Sequence, residues 1–152
     1  MKVRIEISDD GEEEVVIRAH SLSNEVRRIS DAIGAASGSE ATISLTDGES
    51  EYFVPVRSIL FFETQEGHTA AHTADRMYYT SLKLYELEEI LPRTFARVSK
   101  SCVVNTAAIS SIRRNPVGAS ETLFTGSYKK VYISRSYYKA VRELIEETRI
   151  KR

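Results

Sequence analysis

Apolar positions recur along this chain with two different periods, and the change from one to the other divides it. Leu22, Val26, Ile29 and Ile33 fall at i, i+4, i+7 and i+11, one stripe of a helix, with Ser21 or Ser23 as its N-cap and Gly34 near its stop. Before this helix, Lys2 to Ser8 and Val15 to Ala19 read as two short strands around the turn formers Asp9-Asp10-Gly11. Ala35 to Glu40, a run of small residues, reads as a linker. Residues 1–40 are thus expected to form a small β-β-α extension.

From Ala41 the alternation is of period two. Ile43 and Leu45 alternate with Thr42, Ser44 and Thr46, and Asp47-Gly48 then turns the chain into Tyr52 to Val56, as in a hairpin. Strands are predicted again at Ile59–Thr64, Thr69–Thr73, Arg76–Thr80, Ala96–Ser99, Ser110–Arg114, Glu121–Thr125 and Lys130–Ile133. Two helices interrupt them. Leu84, Leu87 and Leu91 share a face before Pro92, and Tyr138, Val141, Leu144 and Ile145 form the apolar side of a C-terminal helix. The expected fold class is α+β, predominantly antiparallel β, with residues 41–152 as the main domain.

Composition narrows the function classes. In 152 residues no apolar run approaches the roughly 20 needed to span a bilayer, and the start MKVRIEISDD is too charged for a secretory signal, so a soluble, cytoplasmic protein is expected. The single cysteine, Cys102, leaves neither an intramolecular disulfide nor a thiolate metal cluster; in SCVV it reads as a buried structural residue. The net charge of −1 hides an asymmetry: Met1–Pro92 carry 8 basic and 18 acidic residues, Arg93–Arg152 carry 13 basic and 4 acidic. A basic C-terminal part can neutralise phosphates, or it can pair with the acidic part inside one fold.

Candidate chemistry is sparse. His68 and His72 lie four apart near Glu63 and Glu66, but on an extended chain that separation is about 13 Å, too far for one metal ion, so no metal site is expected. Asp9-Asp10 reads as a turn and not as a receiver's acidic pair, because too few strands alternate with helices after it. There is no P-loop, nucleophile elbow or Gly-rich dinucleotide turn, so no cofactor and no enzymatic activity are expected. Tyr52, Tyr78, Tyr79, Tyr128, Tyr132, Tyr137 and Tyr138 are assigned to core or half-buried packing. What remains are donor-rich segments at element ends: Thr64–His68 (TQEGH), Arg97–Ser101 (RVSKS) and Ser134–Lys139 (SRSYYK). Three such tips in a basic context point to nucleic acid, with Lys100 and Arg135 long enough to reach base edges.

Three strings carry a family resemblance: VPVRSILFFETQEGHTAAHT, MYYTSLKLYELEEILPRTFARVSKSCVVNTAAISSI, which contains F-x-R-x-x-x-S-x-x-V-N-x-x-x-I, and VYISRSYYKAV. Across Glu51 to Ile145 the chain resembles the LytTR-type DNA-binding domain of bacterial transcription regulators. The resemblance implies a β domain whose loops enter DNA grooves, with His68, Lys100 and Arg135 contacting bases. It implies backbone contacts at Ser81, Lys83, Ser101, Ser134, Ser136 and Lys139. Ser99 stands where many members of the family have His and Lys100 where some have Asn, while Arg97 and Asn105 are motif residues better suited to holding a loop than to touching DNA. Only about 40 residues precede the main domain, in place of the usual receiver domain, as in the family's short stand-alone branch, whose members often work beside a small membrane protein. The expectation is a sequence-specific transcriptional regulator, binding double-stranded DNA as a homodimer at repeated half-sites, its extension serving dimerisation or partner binding. The alternative is a protein-interaction or ligand-sensing module that keeps the scaffold without DNA binding.

Overall fold

The computed structural model of the chain describes residues 2–7, 9, 11, 14–36 and 41–149. Its contacts divide the chain into two units, Met1–Ser39 and Glu40–Arg152. In the first, helix α1 spans Asn24–Ala36 and Ser23 caps it, the Oγ accepting from the Val26 N–H at 3.2 Å. Leu22 lies before the helix and is exposed, so the buried stripe narrows to Val26, Ile29 and Ile33, each half-buried. The two strands expected ahead of α1 are not formed among the described residues; Ser8 and Asp10 lie outside them. The alternation of Val3, Ile5 and Ile7 supplies an apolar face, but these residues are 88%, 82% and 93% exposed. A strand also needs a partner edge for its backbone groups, and alternation alone does not provide one.

The second unit is built from β1 (Thr42–Thr46), β2 (Glu51–Pro55), β3 (Phe61–Gln65), β4 (His68–His72), β5 (Met77–Thr80), α2 (Leu84–Ile90), β6 (Phe95–Ser99), β7 (Cys102–Asn105), β8 (Ile109–Arg113), β9 (Ser120–Phe124), β10 (Lys130–Ile133) and α3 (Arg135–Thr148). Seven strands form one sheet in the order β2-β1-β5-β4-β3-β7-β6, and β10-β9-β8 form another. Every ladder is antiparallel. The Asp47-Gly48 turn is as the sequence predicts: Gly48 has φ +101°, and the Asp47 Oδ1 accepts from the N–H groups of Glu49 (3.0 Å) and Ser50 (2.9 Å). With the Tyr52 hydroxyl donating to its Oδ2 at 2.9 Å as well, the Asp47 carboxyl is held at about 2.

The larger sheet is covered on both faces. On one, Leu45, Ile59, Phe62, Tyr78 and Val103 pack against Leu84 and Leu87 of α2. On the other, Phe61, Val98 and Val104 pack against Phe124, Val131 and Ile133 of the small sheet and Val141 and Ile145 of α3. Successive residues of β3 and β7 therefore enter opposite cores, which makes both strands continuous apolar runs without alternation. Strand β7 was not among the sequence predictions for this reason. Arg76 lies across the sheet edge, its guanidinium 4.8 Å from the Tyr52 ring centre and 4.7 Å from that of Tyr78.

Candidate nucleic-acid interface

The register brings the donor-rich tips to one end of the second unit. Gln65 pairs with His68 across the β3–β4 turn, whose central residues Glu66 and Gly67 have φ 47° and 81°, the two positive values of a type I′ hairpin. Beside it, Thr64 donates its N–H to the Ser101 carbonyl at 2.9 Å, tying the β3 end to the β6–β7 turn that carries Lys100. On the other side of β6 the Ser134 N–H donates to the Val98 carbonyl at 2.8 Å, which fixes the start of α3, and so Arg135, next to that turn. Val98 sits within the irregularity of β6 between Arg97 and Ser99, where a bulge redirects the edge. Thr69 pairs with Thr80, so the β5–α2 connection with Ser81 and Lys83 leaves at the same end.

His68, Ser81, Lys83, Lys100, Ser101, Arg135, Ser136 and Lys139 are all exposed, and Ser134 is half-buried. Lys139 is one helical turn beyond Arg135 and shares its face. The five strands from β5 to β6 spread these tips over about 19 Å at roughly 4.8 Å per strand. That is a little over half of the ~34 Å turn of B-DNA. Neither the β6–β7 turn nor the first two turns of α3 contains a carboxylate. The face can therefore meet a polyanion without like-charge repulsion there, although Glu66 stands at the β3–β4 tip.

Arg97, read in the sequence as part of a tip, turns away from it: its Nε lies 3.5 Å from the Glu88 Oε1 of α2. Asn105 is 3% exposed and spans two segments, Nδ2 donating to the Ile59 carbonyl (3.0 Å) and Oδ1 accepting from the Ala107 N–H (3.1 Å). Both motif residues thus hold structure. Lys83 offers no side-chain acceptor, but its backbone N–H donates to Glu86 Oε1 at 3.1 Å, closing the first turn of α2.

His72 is separated from His68 by the length of β4 and is 9% exposed. It stacks on Phe61 with ring centres 4.3 Å apart, lies 2.8 Å (Nε2) from Glu63 Oε1, and its Nδ1 lies 3.2 Å from Lys129 Nζ. Burial, and then the Lys129 charge, push its pKa below the ordinary 6.5 against the opposing pull of Glu63. The neutral ring suits both neighbours, donating to the carboxylate and accepting from the ammonium. Among the described residues no group of three or more His, Cys, Asp and Glu side chains could hold a metal ion. Cys102 is buried, and burial raises its thiol pKa to about 12, which leaves it unreactive. Of the tyrosines, Tyr78 is buried as expected and Tyr79 and Tyr132 keep 37% and 51% of their surface exposed, whereas Tyr128 lies in the β9–β10 connection and is fully exposed. The β8–β9 loop, which sequence reasoning passed over, also emerges at the tip end, because Ile133 before α3 pairs with Ser120 after the loop.

The chain is similar to known proteins in both sequence and fold. The family model of the LytTr DNA-binding domain matches residues 49–146. An uncharacterised HTH-type transcriptional regulator of Staphylococcus aureus strain NCTC 8325 is 28% identical over 144 residues, covering 94% of this chain and 97% of the relative. Its counterpart in the bovine strain RF122 is 27% identical over the same length. The solved LytTr DNA-binding domain of a Bacillus cereus protein, described as a methyl-accepting/DNA response regulator, superposes with TM-score 0.64 at 21% identity, over 70% of this chain and 97% of that one. The relatives' HTH label does not describe the fold seen here: among the described residues α1 leads to β1, α2 leads to β6 and α3 follows β10, so no two helices are consecutive.

Proposed function

Because this chain belongs to the LytTR DNA-binding domain family, we propose that it is a sequence-specific transcriptional regulator that inserts the tips of its β3–β4 and β6–β7 turns and the start of α3 into successive grooves of one duplex. The observation that carries this reading is the hydrogen-bonded adjacency of those tips, Thr64 to Ser101 and Ser134 to Val98, which sets His68, Lys100 and Arg135 on a single end. Arg135 suits bidentate recognition of guanine, with His68 and Lys100 addressing neighbouring base edges. Ser81, Lys83, Ser101, Ser134, Ser136 and Lys139 take backbone phosphates and set the register.

A reading end of about 19 Å covers too few base pairs to stand out in a genome. Two copies on repeated half-sites answer that need. The exposed Val3, Ile5 and Ile7 and the half-buried face of α1 make the first unit the place for a second copy, or for a partner such as a small membrane protein. No helix among the described residues is long and apolar enough to cross a membrane.

Selection of bound fragments from random DNA, followed by titration of the winner and a scrambled control at several salt concentrations, tests the proposal. The expected result is a repeated motif bound about a thousandfold or more tighter than the control, with a steep negative slope of log K against log salt. Equal weak binding of both DNAs would leave the scaffold without DNA reading and favour the protein-interaction alternative.

A further inference from the structure

Beyond these tips, a second arginine stands beside Arg135. Arg114, in the β8–β9 loop, and Arg135, at the start of α3, line one cleft of about 100 Å³ together with Asn115, Ser120 and Tyr138. The two arginines are twenty-one residues apart in sequence and meet only because Ile133 pairs with Ser120 and Arg113 with Glu121, which returns the loop to the α3 end. We propose that this cleft clamps one phosphodiester of the DNA backbone, so that the β8–β9 loop is a further DNA-contacting element flanking the base-reading Arg135. The inference rests on the DNA-binding reading above and adds to it a site on a different loop.

The walls of the cleft are fixed before any ligand arrives. The Arg114 guanidinium lies 5.3 Å from the centre of the Tyr138 ring, and Tyr138 is itself packed against the core. Asn115 is held at both ends: its N–H donates to Ser120 Oγ at 3.0 Å and its Oδ1 accepts from the Val117 N–H at 3.2 Å. With the oxygen occupied, the amide Nδ2 remains as the donor. That nitrogen stands 2.9 Å from where a Cβ on Gly118 would be, so the residue at 118 must be small to leave it in place.

With Arg135 engaged at its base edge, the phosphate donors of the cleft are the Arg114 guanidinium and the Asn115 amide nitrogen, and no carboxylate occurs between Arg113 and Ser120 or between Ser134 and Arg142. An anion with several acceptor oxygens fits such a site, and Arg forks match phosphate oxygens in pairs. Because the cleft shares Arg135 with the reading end, the anion nearest to it is the backbone of the same duplex.

The test uses the full chain and the DNA fragment selected above. Arg114→Ala and Arg114→Gln are each expected to reduce the slope of log K against log salt by about one and to weaken selected and scrambled DNA alike by roughly three- to tenfold. Arg114→Lys should restore the slope, which a merely structural role would not require. Ethylation of one phosphate should interfere with binding of the unaltered protein and cease to do so for Arg114→Ala. If the unaltered protein shows a steep slope and a selected motif while the Ala and Gln variants leave both slope and interference pattern unchanged, the cleft does not hold DNA and the regulator reading stands. If the unaltered protein shows neither motif nor salt dependence, both fall together.

Discussion

Replacing Asn105 by Ala separates a motif residue that holds the fold from one that touches DNA. The side chain is 3% exposed and makes two hydrogen bonds, to the Ile59 carbonyl and from the Ala107 N–H. Ile59 is fully buried, so water cannot replace the lost donor, and an orphaned buried carbonyl costs about 1–3 kcal/mol. Ala107 is exposed and its N–H can turn to solvent, so that loss is the net value of an ordinary hydrogen bond, about 0.5–1.5 kcal/mol. The expected destabilisation is about 1.5–4.5 kcal/mol, which at m of about 2 kcal/mol/M moves the urea midpoint down by about 0.7–2.2 M with m unchanged. At a temperature where the variant remains folded, its DNA affinity and salt slope should match those of the parent. A shift below about 0.5 kcal/mol together with a salt slope reduced by about one would refute the reasoning and return Asn105 to the interface.

His72 makes stability depend on pH: its folded pKa is depressed below 6.5, so its contribution is complete above 6.5 and is lost as pH falls through that value toward the folded one. Between about pH 7.5 and 5.5 the parent should therefore lose more stability in denaturant titrations than His72→Phe, which keeps the stacking on Phe61 without the proton; equal losses would remove His72 as the cause. Glu66→Asn should stabilise the β3–β4 turn by up to about 1 kcal/mol, since Asn takes the positive φ more readily, and should tighten DNA binding by removing a carboxylate from the tip. Cys102, with its thiol raised to about 12, should react with a disulfide reagent only at the rate of global unfolding, and fast labelling of native protein would contradict its burial.

Where one face of an element is wet, the sequence announces it. The β1–β2 hairpin follows from alternation plus Asp-Gly, α2 from a leucine face ended by Pro92, and α3 from the spacing of Val141 and Ile145. Strand β7 was hidden because Cys102 and Val104 face one core and Val103 the other, which erases the period. Ahead of α1 the alternation predicts strands that do not form among the described residues for the opposite reason: the alternating face is present and a pairing edge is not. At the site, residue types and a family resemblance marked His68, Lys100 and Arg135, but their convergence depends on register. That same register brings in Arg114, 46 residues from His68 in the chain, and a bond to Glu88 takes Arg97 out.

The placement of β3 and β7 between two cores also has a thermodynamic consequence for recognition. Their amides should be among the last to exchange with solvent, because opening either core exposes residues of both strands and so requires global unfolding. The tips that carry His68 and Lys100 are tight turns growing directly out of these best-protected strands. On the proposed DNA-reading role, such a surface is ordered before it meets the duplex, so association should have chiefly side chains to immobilise, at about 0.5–1.5 kcal/mol each, and no loop backbone to freeze.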